Sequence, residues 1–151
     1  MKIDITKKLL HYYEDGYKKL GASYQRKYPN EELCRFMGRN YFHINRSQRK
    51  NIKILEAGCG TGGNLCMLAD EGFNTYGIDF SSESIKVLKK ILLKKKLKAN
   101  LFVGNMIKLP FKSNIFNAVV DIFSSTHLNK KNGKKFIRET SRVLKKNGLF
   151  F

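Results

Sequence analysis

Residues 54–64, Ile54-Leu55-Glu56-Ala57-Gly58-Cys59-Gly60-Thr61-Gly62-Gly63-Asn64, constrain this chain more than any other stretch. Before them, Lys53-Ile54-Leu55 is a short apolar run that reads as the end of a strand. After them, Leu65, Leu68 and Ala69 recur at helical spacing. A strand therefore runs into a glycine turn and out into a helix. Glycine has no Cβ, so the backbone of such a turn can approach a ligand closely. The N–H groups that open the helix then point at whatever binds there. The arrangement is a nucleotide-type site, and Gly58 to Gly63 formally satisfies G-x-G-x-x-G. The residue two places before the first glycine separates the readings. Dinucleotide sites usually carry an apolar strand residue there, whereas this chain carries Glu56. A carboxylate at the mouth of the loop suits an ammonium or sulfonium charge better than a pyrophosphate.

Leu55 to Gly62 also carries, without a gap, a hydrophobic-Leu-(Asp/Glu)-x-Gly-x-Gly-x-Gly pattern. On those residues the chain resembles the class I S-adenosylmethionine-dependent methyltransferases. The resemblance implies an α/β fold: a Rossmann-like, doubly wound, mostly parallel sheet, with strands of the family's seven-strand sheet ordered 3-2-1-4-5-7-6. It also implies that Glu56, Ala57 and the backbone of Gly58, Cys59, Gly60 and Gly62 hold the methionine half of S-adenosylmethionine. Asp79 follows the glycine loop by about twenty residues, at the end of the second predicted strand. An acidic side chain there can accept both ribose hydroxyls of an adenosine. Capping of the next helix is the competing role, but Ser81 and Ser82 already supply caps. Gly77-Ile78-Asp79-Phe80-Ser81 matches the family's second motif and brings Phe80 into the cofactor set.

Further along, Gly104-Asn105-Met106-Ile107-Lys108-Leu109-Pro110-Phe111 stands where the family has Gly-Asp-Ala-x-x-Leu-Pro-Phe. The family's acidic residue bonds the adenine amino group. Asn105 can accept the same bond through its amide oxygen, and Met106 can pack on the adenine face. Phe116-Asn117 replaces the family's Phe-Asp. Asp121 and Ile122 lie where the fourth strand leaves the sheet, beside the switch point where ligands bind. His127 matches a position where many relatives have histidine. It is the candidate proton acceptor for the substrate nucleophile, with a purely structural histidine as the alternative. Arg142-Val143-Leu144-Lys145-Lys146-Asn147-Gly148 closely resembles the family's Arg-Val-Leu-Lys-Pro-Gly-Gly.

Two segments emerge. Residues 1–50 form an N-terminal helical cover, with a helix over residues 3–20 carrying Ile5, Leu9, Tyr12 and Tyr13 on one side. Gly16 challenges its continuity and Gly21 is a stop. A second helix is capped by Asn30 and puts Leu33, Phe36, Met37 and Tyr41 on one face. Tyr12, Tyr13, Tyr17, Tyr24 and Tyr28 are candidates for pocket lining or plain packing. Residues 45–51 read as a polar connector. Residues 51–151 form the cofactor-binding core, with strands near 73–78, 99–103 and 115–120 and helices from Ser82 and over 130–146. Asn147-Gly148 ends the last helix and Leu149-Phe150-Phe151 begins a fifth strand. The core is thus expected to be incomplete at its C-terminus. The open edge is then covered by a missing segment or by another chain, such as a homo-oligomer partner, and the first is favoured.

Composition narrows the function classes. No apolar run reaches membrane-spanning length and the N-terminus lacks a signal-peptide core, so the cytoplasm is the expected location. Cys34, Cys59 and Cys66 make no C-x-x-C pair and three histidines show no ligand spacing, so no metal is expected. Thirty Lys and Arg against twelve Asp and Glu give a net charge of +18. That charge suits a nucleic acid or another acidic partner, or reflects a lysine-rich composition spread over the chain. The leading expectation is methyl transfer from S-adenosylmethionine to a small-molecule acceptor. A non-catalytic cofactor- or nucleic-acid-binding module and an NAD-dependent oxidoreductase are the alternatives. In-line displacement at a sulfonium needs positioning more than a catalytic triad, and none is visible. The absence of an Asp/Asn-Pro-Pro-aromatic motif or a Pro-Cys nucleophile after the fourth strand argues against base methylation.

Overall fold

The computed structural model describes residues 5–151. Residues 3 and 4 of the expected first helix, and the side chain of Ile5, lie outside what is described. Five strands, β1 (Lys53–Ala57), β2 (Asn74–Asp79), β3 (Asn100–Val103), β4 (Phe116–Asp121) and β5 (Leu144–Phe150), form one sheet in the order β3-β2-β1-β4-β5. Every neighbouring pair is parallel. Parallel pairs need crossovers, and the crossing helices cover both faces. These are α4 (Gly63–Asp70), α5 (Ser82–Lys95) and α6 (Lys130–Val143). The chain before β1 supplies α1 (Ile5–Leu20), α2 (Glu31–Asn40) and the single turn α3 (Arg46–Arg49). No helix among the described residues is long and apolar enough to cross a membrane.

Alternate residues of β1 feed opposite faces, as strand geometry requires. Ile54 meets Leu33, Met37 and Tyr41 together with Ala118 and Val120 of β4. Leu55 meets Ile78, Phe116 and Val119, with Phe136 and Val143 of α6 closing that face. Each of the fully buried large side chains among these, such as Ile54, Leu55, Met37 and Phe136, contributes roughly 1.5–3 kcal/mol. The cap expected for α2 is present: Leu33 N–H donates to Asn30 Oδ1 at 3.1 Å, with Glu31 and Glu32 in the first turn.

Glycine 16 does not interrupt α1. A Cβ there would lie 2.2 Å from the Tyr24 ring, so the missing side chain lets that ring pack directly on the helix. Two segments differ from expectation. The polar connector contains α3, capped by Asn45, and Arg49 within it is buried. Its guanidinium donates to Phe42 O (2.7 Å), Ile44 O (2.9 Å) and the Glu71 carboxylate, and lies over the Phe42 and Phe73 rings. The turning backbone has carbonyls to satisfy, and one planar fork of donors satisfies several at once. The last helix also ends three residues early, at Val143. Leu144 is already extended and pairs with Phe116. Lys145 to Gly148 then bulge out, with Asn147 at φ 63°, before Leu149 pairs with Ala118. Asn147-Gly148 therefore shapes a strand irregularity rather than a helix end.

Candidate functional site

The strand order reverses around β1: β2 and β3 lie to one side, β4 and β5 to the other. In open parallel sheets the crevice outside the carboxyl ends of the strands at such a switch is where ligands bind. A cavity of about 560 Å³ occupies that position.

The glycine loop forms its floor. Gly58, Gly60 and Gly62 all have positive φ (70°, 50° and 81°). A Cβ on Gly58 would sit 1.9 Å from Ser124 Oγ, and one on Gly60 would sit 3.2 Å from the Tyr17 hydroxyl. Side chains at these positions would fill the cradle. Gly58 N–H and Cys59 N–H both donate to Ile78 O, which fastens the loop to β2. Asp79, at the end of β2, accepts from Gly60 N–H at 2.9 Å through Oδ2 and from Ser81 N–H at 2.9 Å through Oδ1. Burial raises its pKa, and these two backbone bonds oppose the shift. A carboxylate offers about four lone-pair sites, so each oxygen keeps one for a ligand hydroxyl.

Glu56 is the electrostatic centre of the cavity. It is 2% exposed. Its Oε1 accepts from Asn64 Nδ2 at 2.7 Å, while its buried Oε2 has no partner among the described residues. Burial pushes its pKa up to about 8; the Asn64 bond opposes that rise, and the charges of Asp79 and Asp121 add to it. A buried carboxyl with an unused oxygen is a seat for a cationic N–H donor, because ionising it without a partner is costly. Asn64 in turn accepts Asn30 N–H at 2.8 Å, which links the carboxyl to the N-terminal cover.

That cover roofs the cavity. Tyr13 and Tyr17 of α1 line it. The Tyr13 hydroxyl lies 3.0 Å from His127 Nε2, and its ring meets Phe80 edge-on at 5.9 Å. Tyr12 and Tyr28 are exposed, and Tyr24 packs on Gly16 and Tyr17. Glu14 fastens α1 to the start of α5, accepting from Ser81 Oγ (2.8 Å) and Glu83 N–H (3.3 Å).

Of the site residues expected from sequence, Glu56, Gly58, Cys59, Gly60 and Gly62 share this cavity with Asp79, Phe80, Asn105, Met106 and His127. Ala57 and Asp121 do not line it. Ala57 is fully buried in the core beneath the loop. The Asp121 carboxylate accepts from Ser124 N–H (3.0 Å) and Ser125 N–H (3.1 Å) and so holds the 3-10 turn Ser124–His127. It orients the residues that face the cavity rather than facing it. Asn105 spends one lone pair of Oδ1 on Ile107 N–H at 3.1 Å, leaving one free. Asn117 is remote from the cavity, where its Oδ1 accepts from Lys53 N–H and Lys145 Nζ. Glu139 and Arg142 clamp the Leu109-Pro110-Phe111 loop: Glu139 accepts Leu109 N–H at 2.7 Å, and Arg142 donates to Phe111 O at 2.7 Å. Arg26, Phe123, Ser124 and Asn132 also line the cavity and carry no motif that marks them in sequence.

Residues 54–148 match the model of a family described as a methyltransferase domain. An uncharacterised protein of Methanocaldococcus jannaschii is 34% identical over 137 residues, covering 91% of this chain and 49% of that protein. A ubiquinone biosynthesis O-methyltransferase of Pelagibacter ubique is 36% identical over 115 residues, covering 73% of this chain and 45% of the relative. Among solved structures, a SAM-dependent methyltransferase from Methanosarcina mazei superposes with a TM-score of 0.59 at 31% identity, covering 64% of this chain and 49% of that one. The chain spans a little under half the length of these two curated relatives.

Proposed function

Because the chain belongs to the methyltransferase-domain family, whose model matches residues 54–148, we propose that it takes part in methyl transfer from S-adenosylmethionine to a small-molecule acceptor. The observation that carries this reading is the unpartnered, buried Oε2 of Glu56 beside a glycine cradle. The residues present fit the family's cofactor. Glu56 would take the ammonium of the methionine half, which satisfies the orphaned oxygen. The two spare lone pairs of Asp79 would accept the ribose hydroxyls. Asn105 and Met106 would meet the adenine. When bound, the cofactor supplies a methyl group on a sulfonium, already activated for displacement.

What remains for the protein is to align the acceptor and keep water out. Tyr17, only 4% exposed, and Tyr13 close the cavity from above. His127, bonded to Tyr13 and lining the cavity, would take the proton of an acceptor that must lose one. The cavity volume falls in the range of small-molecule sites. The name of the Pelagibacter relative, an O-methyltransferase of ubiquinone biosynthesis, supports a small acceptor as well.

Calorimetric titration of the 151-residue chain with S-adenosylhomocysteine, with NAD as control, tests the reading. Selective binding of the former is expected. Selective NAD binding, or binding of neither by a chain shown to be folded by circular dichroism, would overturn it.

A further inference from the structure

The amide of Asn64 stands between Glu56 and the N-terminal cover, and it is buried. On one side it meets Glu56 Oε1 at 2.7 Å, on the other the backbone N–H of Asn30 at 2.8 Å. A backbone N–H can only donate, so the amide oxygen must face Asn30 and the amide nitrogen must face Glu56. That orientation decides what the carboxyl can do. With the amide turned over, a protonated Glu56 could donate to the Asn64 oxygen and be held as a neutral acid. The Asn30 N–H forbids this, because the turned amide would set two buried donors against each other. In the orientation present Glu56 accepts through Oε1, which favours its charged form. Burial pushes the carboxyl towards the neutral acid, and the Asn64 bond opposes that push. Oε2, buried and without a partner among the described residues, is the oxygen left for a ligand.

The donor that sets this orientation is itself held firmly. Asn30 opens α2: its Oδ1 accepts Leu33 N–H at 3.1 Å and its backbone oxygen accepts Cys34 N–H at 3.1 Å. Leu33 and Met37 of that helix are fully buried in one cluster with Ile54 of β1, the strand that also carries Glu56. The residues before Asn30 lie along the start of α4. A Cβ on Gly63, next to Asn64, would be 2.7 Å from Arg26 O and 3.2 Å from Tyr28 O. Core packing beneath α2 and backbone packing on α4 therefore fix the Asn30 N–H against Asn64 before any ligand arrives.

We propose that Asn64 is a positioning residue for the cofactor: directed by the Asn30 N–H, it presents Glu56 as an acceptor to the ammonium of S-adenosylmethionine. The N-terminal cover thereby contributes to ammonium recognition through the start of α2 rather than by contact with that group. This rests on the methyl-transfer reading of the same cavity.

The test is calorimetric titration of the full chain with S-adenosylhomocysteine and with methylthioadenosine, which keeps the adenine, ribose and sulfur but lacks the ammonium. Wild type should prefer S-adenosylhomocysteine. Asn64→Leu should weaken that ligand by about 10- to 100-fold, the scale of a lost hydrogen bond to a charged group, and leave methylthioadenosine unchanged. Because Asn64 acts through Glu56, the double variant with Glu56→Gln should lose no more than Glu56→Gln alone. Position 30 tests the other end of the chain of bonds. Its φ of −69° suits proline. Asn30→Ala loses the α2 cap and keeps the N–H, whereas Asn30→Pro loses both and should lower the preference for S-adenosylhomocysteine further. Circular dichroism checks each fold, and the Asn30 pair carries the test where Asn64→Leu does not fold. An equal loss of both ligands in Asn64→Leu, additive losses in the double variant, or equal preference in the two Asn30 variants would overturn the proposal. So would a wild type that binds the two ligands equally. Any of these with S-adenosylhomocysteine still bound by wild type removes the positioning role alone, whereas failed binding by wild type removes the methyl-transfer reading.

Discussion

Replacing Glu56 by Gln isolates what the buried carboxyl does to the protein and to its ligand. Its ordinary value is 4.5, and burial raises it to about 8. Between those two pH values the folded chain holds a proton that the unfolded chain has released. Stability therefore falls as pH rises through that window and levels off above about 8. The rise from 4.5 to about 8 corresponds to about 5 kcal/mol, and local relaxation with water entry brings the expected effect to about 2–5 kcal/mol. Gln keeps the acceptor for Asn64 Nδ2 and has nothing to titrate. Asp79, also raised by burial, is common to both proteins and largely cancels in the difference. Urea unfolding followed by circular dichroism from pH 4.5 to 9, without ligand, should find the two proteins similar at the acid end. The variant should be the more stable at pH 8. A difference that stays flat with pH to within about 0.5 kcal/mol, the usual scatter for independent sites, would refute the reasoning. The same substitution should weaken S-adenosylhomocysteine binding. It should also abolish the proton release that accompanies binding to wild type at pH 6, read by calorimetry in two buffers of different ionisation enthalpy.

Asp79→Ala removes the proposed ribose partner together with the acceptor of Gly60 N–H and Ser81 N–H. S-adenosylhomocysteine affinity should fall by about 2–3 kcal/mol in a binding titration, and unchanged affinity would end the ribose assignment. His127→Ala should leave S-adenosylhomocysteine binding intact. Once an acceptor that must lose a proton is in hand, turnover should drop by about 10²–10⁴-fold. Turnover equal to wild type would reduce His127 to a packing partner of Tyr13.

The glycine-loop wall of the cavity was legible in sequence because its geometry is local. Glu56 to Gly62 is one strand end and one turn, and the left-handed conformations that turn needs select glycine. Asp79 was legible because a parallel sheet returns the second strand beside the first, bringing its last residue back to the loop through Gly60 N–H. The same logic misplaced Asp121. It too ends a strand beside β1, at register with Ala57, but the chain turns immediately after it and its carboxylate caps that turn. Whether a strand-end acid faces ligand or caps a turn depends on the φ of the residues that follow, and Phe123 in the left-handed region is a choice no residue-type preference announces. The roof was opaque for a different reason. Tyr12, Tyr13, Tyr17, Tyr24 and Tyr28 are chemically alike, and their fates diverge through contacts at long sequence separation: Tyr13 with His127, Tyr17 above Gly60, Tyr24 against Gly16. Arg26 and Arg49 show the same limit in opposite directions. Each sits in a polar loop, yet Arg49 is drawn inside by the carbonyls of Phe42 and Ile44 and the carboxylate of Glu71, whereas Arg26 meets no carboxylate among the described residues and lies on an exposed ring. A basic residue's partner, not its loop, decides whether it is structure or is left free for a ligand, and that partner is set only when the sheet brings distant turns together.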